Sequence, residues 1–204
     1  MAIKSPIGVA FLGLGRMGET HLRNLLGLPG VKVVVVADPR LEAAEHGKAL
    51  AGAEEATTDV ERAINSPSVD AVVIVTPTNT HARLLEVAAK AGKAAFTEKP
   101  IALDLAETAR VVDLIREAGI PVQLGFMRRF DPGYARAKQK IDTGELGRIE
   151  LFRALSRERL IAWSWKPFSA RCKRDANHHP ARKTLWKPFG WRWQSPRVGA
   201  KAGR

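Results

Sequence analysis

Three glycines in the hexapeptide Gly13-Leu14-Gly15-Arg16-Met17-Gly18 carry the most specific chemistry in this chain. The apolar run Ile7–Leu12 precedes them and a helix-spaced segment follows, so the turn joins a strand to a helix. In that context Gly13 permits the tight turn, Gly15 admits close approach of a pyrophosphate, and Gly18 lets helix and strand pack together. The N–H groups of Arg16, Met17 and the following residues at the helix start would then face phosphate oxygens. Asp38 ends the next β-branched run, 20 residues past Gly18. A carboxylate there accepts hydrogen bonds from both ribose hydroxyls and repels a 2′-phosphate, so the pair predicts NAD rather than NADP. Arg40 leaves the second open, since a nearby guanidinium can accommodate that phosphate. The alternative to the whole reading is a glycine-rich turn with no ligand.

The elements that must position these groups alternate regularly. Lys32–Ala37 and Asp70–Val75 are apolar after their first residue and rich in β-branched residues, as strands buried on both faces should be. Ala94–Thr97 and Pro121–Gly125 give two further short strands. Helical spacing marks Met17–Leu26, Leu41–Leu50, His81–Ala91, a segment from the Asp104 cap to Ala118, and Pro132–Ile141. Strands separated by helices pair in parallel through right-handed crossovers, which predicts an α/β fold: a Rossmann-type, doubly wound parallel sheet. Arg148–Leu155 alternates charged and apolar residues and is expected to be the first strand of a second α+β domain. The expected division is residues 1–125 for the NAD-binding domain, 126–158 for the start of a substrate domain, and 159–204 for a tail.

Two more segments lie just beyond strand ends, where open α/β sheets bind ligands. They are Thr76-Pro77-Thr78-Asn79-Thr80-His81 and Thr97-Glu98-Lys99-Pro100. Together with Gly13–Gly18 they resemble the Gfo/Idh/MocA oxidoreductases. The stretch Gly125-Phe126-Met127-Arg128-Arg129-Phe130-Asp131-Pro132 looks like the inositol 2-dehydrogenase branch of that family, and the resemblance runs from about Ile7 to Ser156. It implies an NAD-dependent dehydrogenase acting on a polyol or sugar hydroxyl. It further implies that Thr76, Pro77, Asn79, His81 and Glu98 line the cofactor path. Lys99 would lie near the nicotinamide and the reacting hydroxyl, with Pro100 in a cis peptide and Arg128 or Arg129 toward the substrate. Taken singly, Lys99 reads equally as a solvated lysine, His81 as a polar helix start, and Arg128 as a surface ion-pair partner. The resemblance also implies a larger second domain with an Asp-x-x-x-His motif supplying a general acid/base. Asp175 and His179 have that spacing, but Pro180 would break a helix carrying them, which favours a chance match.

The net charge of +12 is unevenly placed. Residues 1–158 carry 21 Lys and Arg against 20 Asp and Glu, whereas residues 159–204 carry 12 against Asp175 alone. All five tryptophans and the single cysteine, Cys172, also lie in that last segment. One cysteine excludes a disulfide framework or a cysteine metal site, and no metal is expected. No apolar run reaches the roughly 18 residues of a membrane span; Ile7–Leu12 is too short for a secretory signal. A cytoplasmic protein with a small-molecule partner is therefore expected, with little call for nucleic acid or membrane. The rival reading is a dinucleotide-binding protein whose basic, tryptophan-bearing tail engages a polyanion. The plainest expectation for residues 159–204 is a disordered tail in a chain truncated or frame-diverged after about residue 158. Activity and family-type oligomerisation would then be doubtful.

Overall fold

The computed structural model describes residues 6–153. The expectations for residues 154–204, including Asp175 and His179, lie outside them. The described chain runs β1 (Ile7–Leu12), α1 (Arg16–Leu26), β2 (Val31–Ala37), α2 (Leu41–Ala51), β3 (Glu55–Thr57), α3 (Val60–Asn65), β4 (Ala71–Ile74), α4 (His81–Lys90), β5 (Ala94–Thr97), α5 (Leu105–Ala118), β6 (Val122–Leu124) and α6 (Pro132–Asp142). All pairings are parallel, and the strand order is β3-β2-β1-β4-β5-β6. This is the doubly wound sheet that the alternation predicts, with its switch in winding direction between β1 and β4.

Strands β1, β4 and β5 are buried along their whole length, so successive residues feed two separate cores. Val9, Phe11, Val73 and Phe96 pack with Leu22 and Leu25 of α1 on one face. Ala10, Leu12, Val72 and Ile74 pack with Ile64 of α3, Leu84 and Leu85 of α4 and Val111 of α5 on the other. The β1–β2 register slips between Val9 and Ala10, and Val34 and Val35 consequently share one core.

Two elements go beyond the sequence reading. β3 is three residues long with only Ala56 apolar, too short for a periodic signal, and it completes one sheet edge. α3 has six residues and is capped by Asp59, whose side chain accepts from Arg62 N at 3.0 Å.

The expected strand at Arg148–Leu155 is not formed over residues 148–153. Alternation makes a strand only when a neighbour accepts its backbone hydrogen bonds and its apolar side is covered. Neither partner exists among the described residues, and Leu151 is 85% exposed.

Helix ends follow local chemistry. Asp104 caps α5 by accepting from Glu107 N at 2.9 Å, and Gly119, at φ +66°, closes it in the left-handed conformation. Asp104→Ala should lower the unfolding free energy by about 1 kcal/mol. The expected reading is a lower urea midpoint at an unchanged slope.

Candidate functional site

The sheet register brings the carboxyl ends of five strands into one row. Ala37 pairs with Leu12, Leu12 with Ile74, Ile74 with Thr97, and Thr97 with Leu124. The hydrogen-bond ladder continues one residue further. Gly13 N donates to Ala37 O, Val75 N to Leu12 O, Glu98 N to Ile74 O and Gly125 N to Thr97 O, at 2.8 to 3.1 Å. Asp38, Gly13, Val75, Glu98 and Gly125 therefore leave the sheet side by side, and each starts a loop carrying predicted site residues. Segments spread over more than a hundred residues of sequence meet at one edge.

The three glycines of the first loop differ in what requires them. Gly13 sits at φ +94°, and a Cβ on it would lie 2.6 Å from Val75 O. A Cβ on Gly18 would lie 1.9 Å from Gly13 O, so helix and turn could not close. Gly15 has ordinary dihedrals, φ −71° and ψ −177°, and its Cβ would meet nothing within 4 Å. Neither backbone strain nor packing within the protein demands glycine at position 15. A pyrophosphate drawn against the backbone would. Gly15 is also the N-cap of α1 and supplies no side-chain cap, leaving the first helical N–H groups to a ligand. The residues thus fit a dinucleotide.

Asp38 is 5% exposed. Its Oδ2 accepts from Leu14 N at 2.8 Å and its Oδ1 from Arg40 N at 3.0 Å. The carboxylate thereby ties the glycine turn to the end of β2, and each oxygen retains a further lone pair for a ribose hydroxyl. The Arg40 side chain is 72% exposed with Nε 3.5 Å from Asp38 Oδ1.

The third loop is self-braced. Thr80 Oγ1 donates to Pro77 O at 2.7 Å, so the 2.6 Å contact between Thr76 and Thr80 is a donation from the Thr76 hydroxyl. Pro77 and Asn79 are exposed on this turn. His81 is not: it is 1% exposed, with Nδ1 2.7 Å from Pro100 O and Nε2 2.9 Å from Thr76 O. Both ring nitrogens of His81 are thus turned inward to backbone carbonyls, which ties the Thr76 turn to the Lys99–Pro100 segment.

Glu98 is likewise turned back. Its Oε1 accepts from His21 Nε2 at 2.9 Å, and its Oε2 accepts from Lys99 N at 3.3 Å. Its carboxylate lies against Gly125, where any Cβ would come within 2.9 Å of Oε1. Through these contacts Glu98 braces the backbone that carries Lys99. Lys99 itself is exposed, and the Lys99–Pro100 peptide is cis as the resemblance implies. Arg128 stacks 5.0 Å over the Tyr134 ring, and its guanidinium donates to the Tyr134 hydroxyl. His21 is the residue that sequence reasoning missed. A lone histidine in the middle of α1 gives no local signal when its partner lies 77 residues away.

No group of three or more metal-ligating side chains occurs among the described residues. None of their helices is long and apolar enough to cross a membrane. A groove between α3 and α4, lined by Glu61, Asn65, Arg83 and Glu86, shares no residue with the row. Lys90 lines it too; of the other charges, Arg83 bridges Glu61, and the Arg110 hydrogen bond holds the Glu86 carboxyl below the usual carboxylate range.

Comparison with known proteins agrees with this geometry. The family model described as "Oxidoreductase family, NAD-binding Rossmann fold" matches residues 7–126. Scyllo-inositol 2-dehydrogenase (NAD(+)) of Bacillus subtilis is 43% identical over 157 residues, covering 76% of this chain and 46% of that protein. An inositol 2-dehydrogenase of Rhizobium meliloti is 40% identical over 147 residues, covering 72% of this chain and 44% of that protein. The crystal structure of a Lactobacillus casei scyllo-inositol dehydrogenase with bound NAD(H) and scyllo-inositol superimposes with a TM-score of 0.67 at 35% identity. It covers 69% of this chain and 42% of that one. The chain thus spans less than half the length of these relatives.

Proposed function

The chain belongs to the Gfo/Idh/MocA oxidoreductase family, and from that premise we propose that it is an NAD-dependent dehydrogenase acting on a polyol, an inositol first among them. The observation that carries the reading is the row at the strand ends, where a phosphate-ready glycine turn, a buried ribose carboxylate and an exposed lysine emerge from neighbouring strands. NAD, when bound, accepts a hydride from the substrate carbon. In this reading Gly13, Gly15, Arg16, Met17 and Gly18 form the pyrophosphate turn, and Asp38 with Arg40 beside it takes the adenosine ribose. The turn of Thr76, Pro77 and Asn79 borders the nicotinamide half. The ammonium of Lys99 donates to the reacting oxygen, favouring the charge that builds there as the hydroxyl proton passes to a general base, the part that the family resemblance gives to the histidine of an Asp-x-x-x-His motif. Arg128, already fixed on Tyr134, offers remaining N–H donors to substrate hydroxyls. Residues 126–158 begin the substrate domain; α6 buries none of its residues, Ile141 on it is exposed, and so are Phe126 before it and Leu146 after it. The reading includes a cytoplasmic location.

Fluorescence titration with NADH tests the cofactor assignment, and saturable binding is the expected result. The order of polyols by rate of NAD reduction tests the substrate class, with myo- and scyllo-inositol expected ahead of glucose and glycerol. A chain that does not bind NADH overturns the proposal.

A further inference from the structure

Lys99 is exposed, yet each of its neighbours in sequence is gripped by a buried histidine. On one side, His21 Nε2 donates to Glu98 Oε1 at 2.9 Å, since a carboxylate only accepts. Glu98 Oε2 in turn accepts from the backbone N–H of Lys99. On the other side, His81 sets Nδ1 2.7 Å from the carbonyl of Pro100 and Nε2 2.9 Å from that of Thr76. An imidazolium donates to both carbonyls and a neutral ring to one of them. Both histidines are 1% exposed. Burying a polar ring is unfavourable unless its nitrogens are satisfied, so leucine or phenylalanine would pack more favourably if packing were the only need. His21 also lies against the Phe96 ring, with centroids 5.5 Å apart, which fixes the imidazole between β5 and α1.

The placement of the two rings matters as much as their contacts. His21 belongs to α1, the helix that opens at the Gly15 turn, and His81 opens α4 directly after the Thr76 turn. The two helices whose leading loops form the cofactor cradle thus each send one imidazole to the segment bearing the lysine. We propose that His21 and His81 are positioning residues that hold Lys99 from both sides, in register with the nicotinamide end of the cofactor cradle. The inference rests on the reading of Lys99 given above and adds the groups that aim it.

The test compares NADH with ADP-ribose, which fills the same turn but lacks the nicotinamide. Both are titrated against the full chain and its variants, with the unfolding midpoint of each variant recorded. Lys99→Met sets the benchmark: with no substrate oxygen in place the ammonium would donate to the carboxamide oxygen of the nicotinamide, and losing that charged hydrogen bond should lower NADH affinity about tenfold. ADP-ribose affinity should change less than about twofold, as expected for a site the change does not touch. His21→Leu and His81→Phe should reproduce that split. His21→Gln, whose amide nitrogen can replace Nε2 toward Glu98, should restore most of the NADH affinity. Should His81→Phe fail to fold, the His21 pair decides the matter alone. A His21→Leu variant that weakens NADH and ADP-ribose equally, or that His21→Gln does not rescue, overturns the inference while the function stands. A Lys99→Met variant with no split removes Lys99 from the nicotinamide and takes both readings with it.

Discussion

Gly15→Asp should leave the domain folded and abolish its affinity for NADH. The Cβ at this position enters open space and the dihedrals are ordinary, so the new side chain meets no obstacle. Aspartate is moreover among the preferred N-cap residues, and its carboxylate can accept from the first free N–H groups of α1. The unfolding midpoint is therefore expected to hold or rise. The same carboxylate would occupy the donors meant for the pyrophosphate and set like charge beside it. Two unit charges about 4 Å apart near a protein surface repel by roughly 4 kcal/mol, enough to weaken binding by several hundredfold. Gly18→Val is the counterpart: its Cβ would fall 1.9 Å from Gly13 O, so the fold itself should give way. Calorimetry and NADH titration on the two variants separate a glycine kept for the ligand from one kept for the fold. Gly15→Asp binding NADH with unchanged affinity would remove the pyrophosphate from this turn.

NADH should bind at least about tenfold more tightly than NADPH, because the 2′-phosphate would meet the carboxylate of Asp38. Asp38→Ser is expected to narrow that gap from both ends. It loses the carboxylate assigned to the ribose hydroxyls, and it frees Arg40, whose exposed guanidinium can swing to a phosphate. The variant should also be less stable by about 1–3 kcal/mol, since Leu14 N and Arg40 N lose their acceptor. Adding Arg40→Ala to Asp38→Ser should remove the NADPH gain without recovering NADH. Equal affinities in the unmodified protein would contradict the assignment of Asp38.

The two predictions rest on residues of unequal visibility in the sequence. Gly13–Gly18 and Asp38 are legible because their chemistry is local: a strand, a turn and a helix start fall within a dozen residues. The runs Ile7–Leu12 and, past the exposed Lys32, Val33–Ala37 are legible because burial on both faces leaves no room for polar residues. Glu55–Thr57 is not, since a three-residue edge strand is defined by the pairing of Val35–Ala37 with it rather than by its own pattern. Glu98 and His81 stand out in the sequence by their motifs, but their bracing contacts do not. Their roles depend on His21 and Pro100, partners brought close only by the sheet register. Arg148–Leu155 shows the converse: its alternation is visible, but a strand is a property of two segments, and over residues 148–153 its partner is not among those described.

The central place of β1 in the sheet has a consequence for synthesis on the ribosome. β1 emerges first, yet it must pair on one side with β2, some 20 residues later, and on the other with β4, which ends at Ile74. At about 5–20 residues per second, the 62 residues between Leu12 and Ile74 take roughly 3–12 s to appear. Throughout that interval a wholly apolar strand has one edge without its neighbour. The nascent chain is thus most exposed to misassociation before the site at the strand ends exists, and slower decoding between residues 37 and 71 should lengthen its dependence on chaperones.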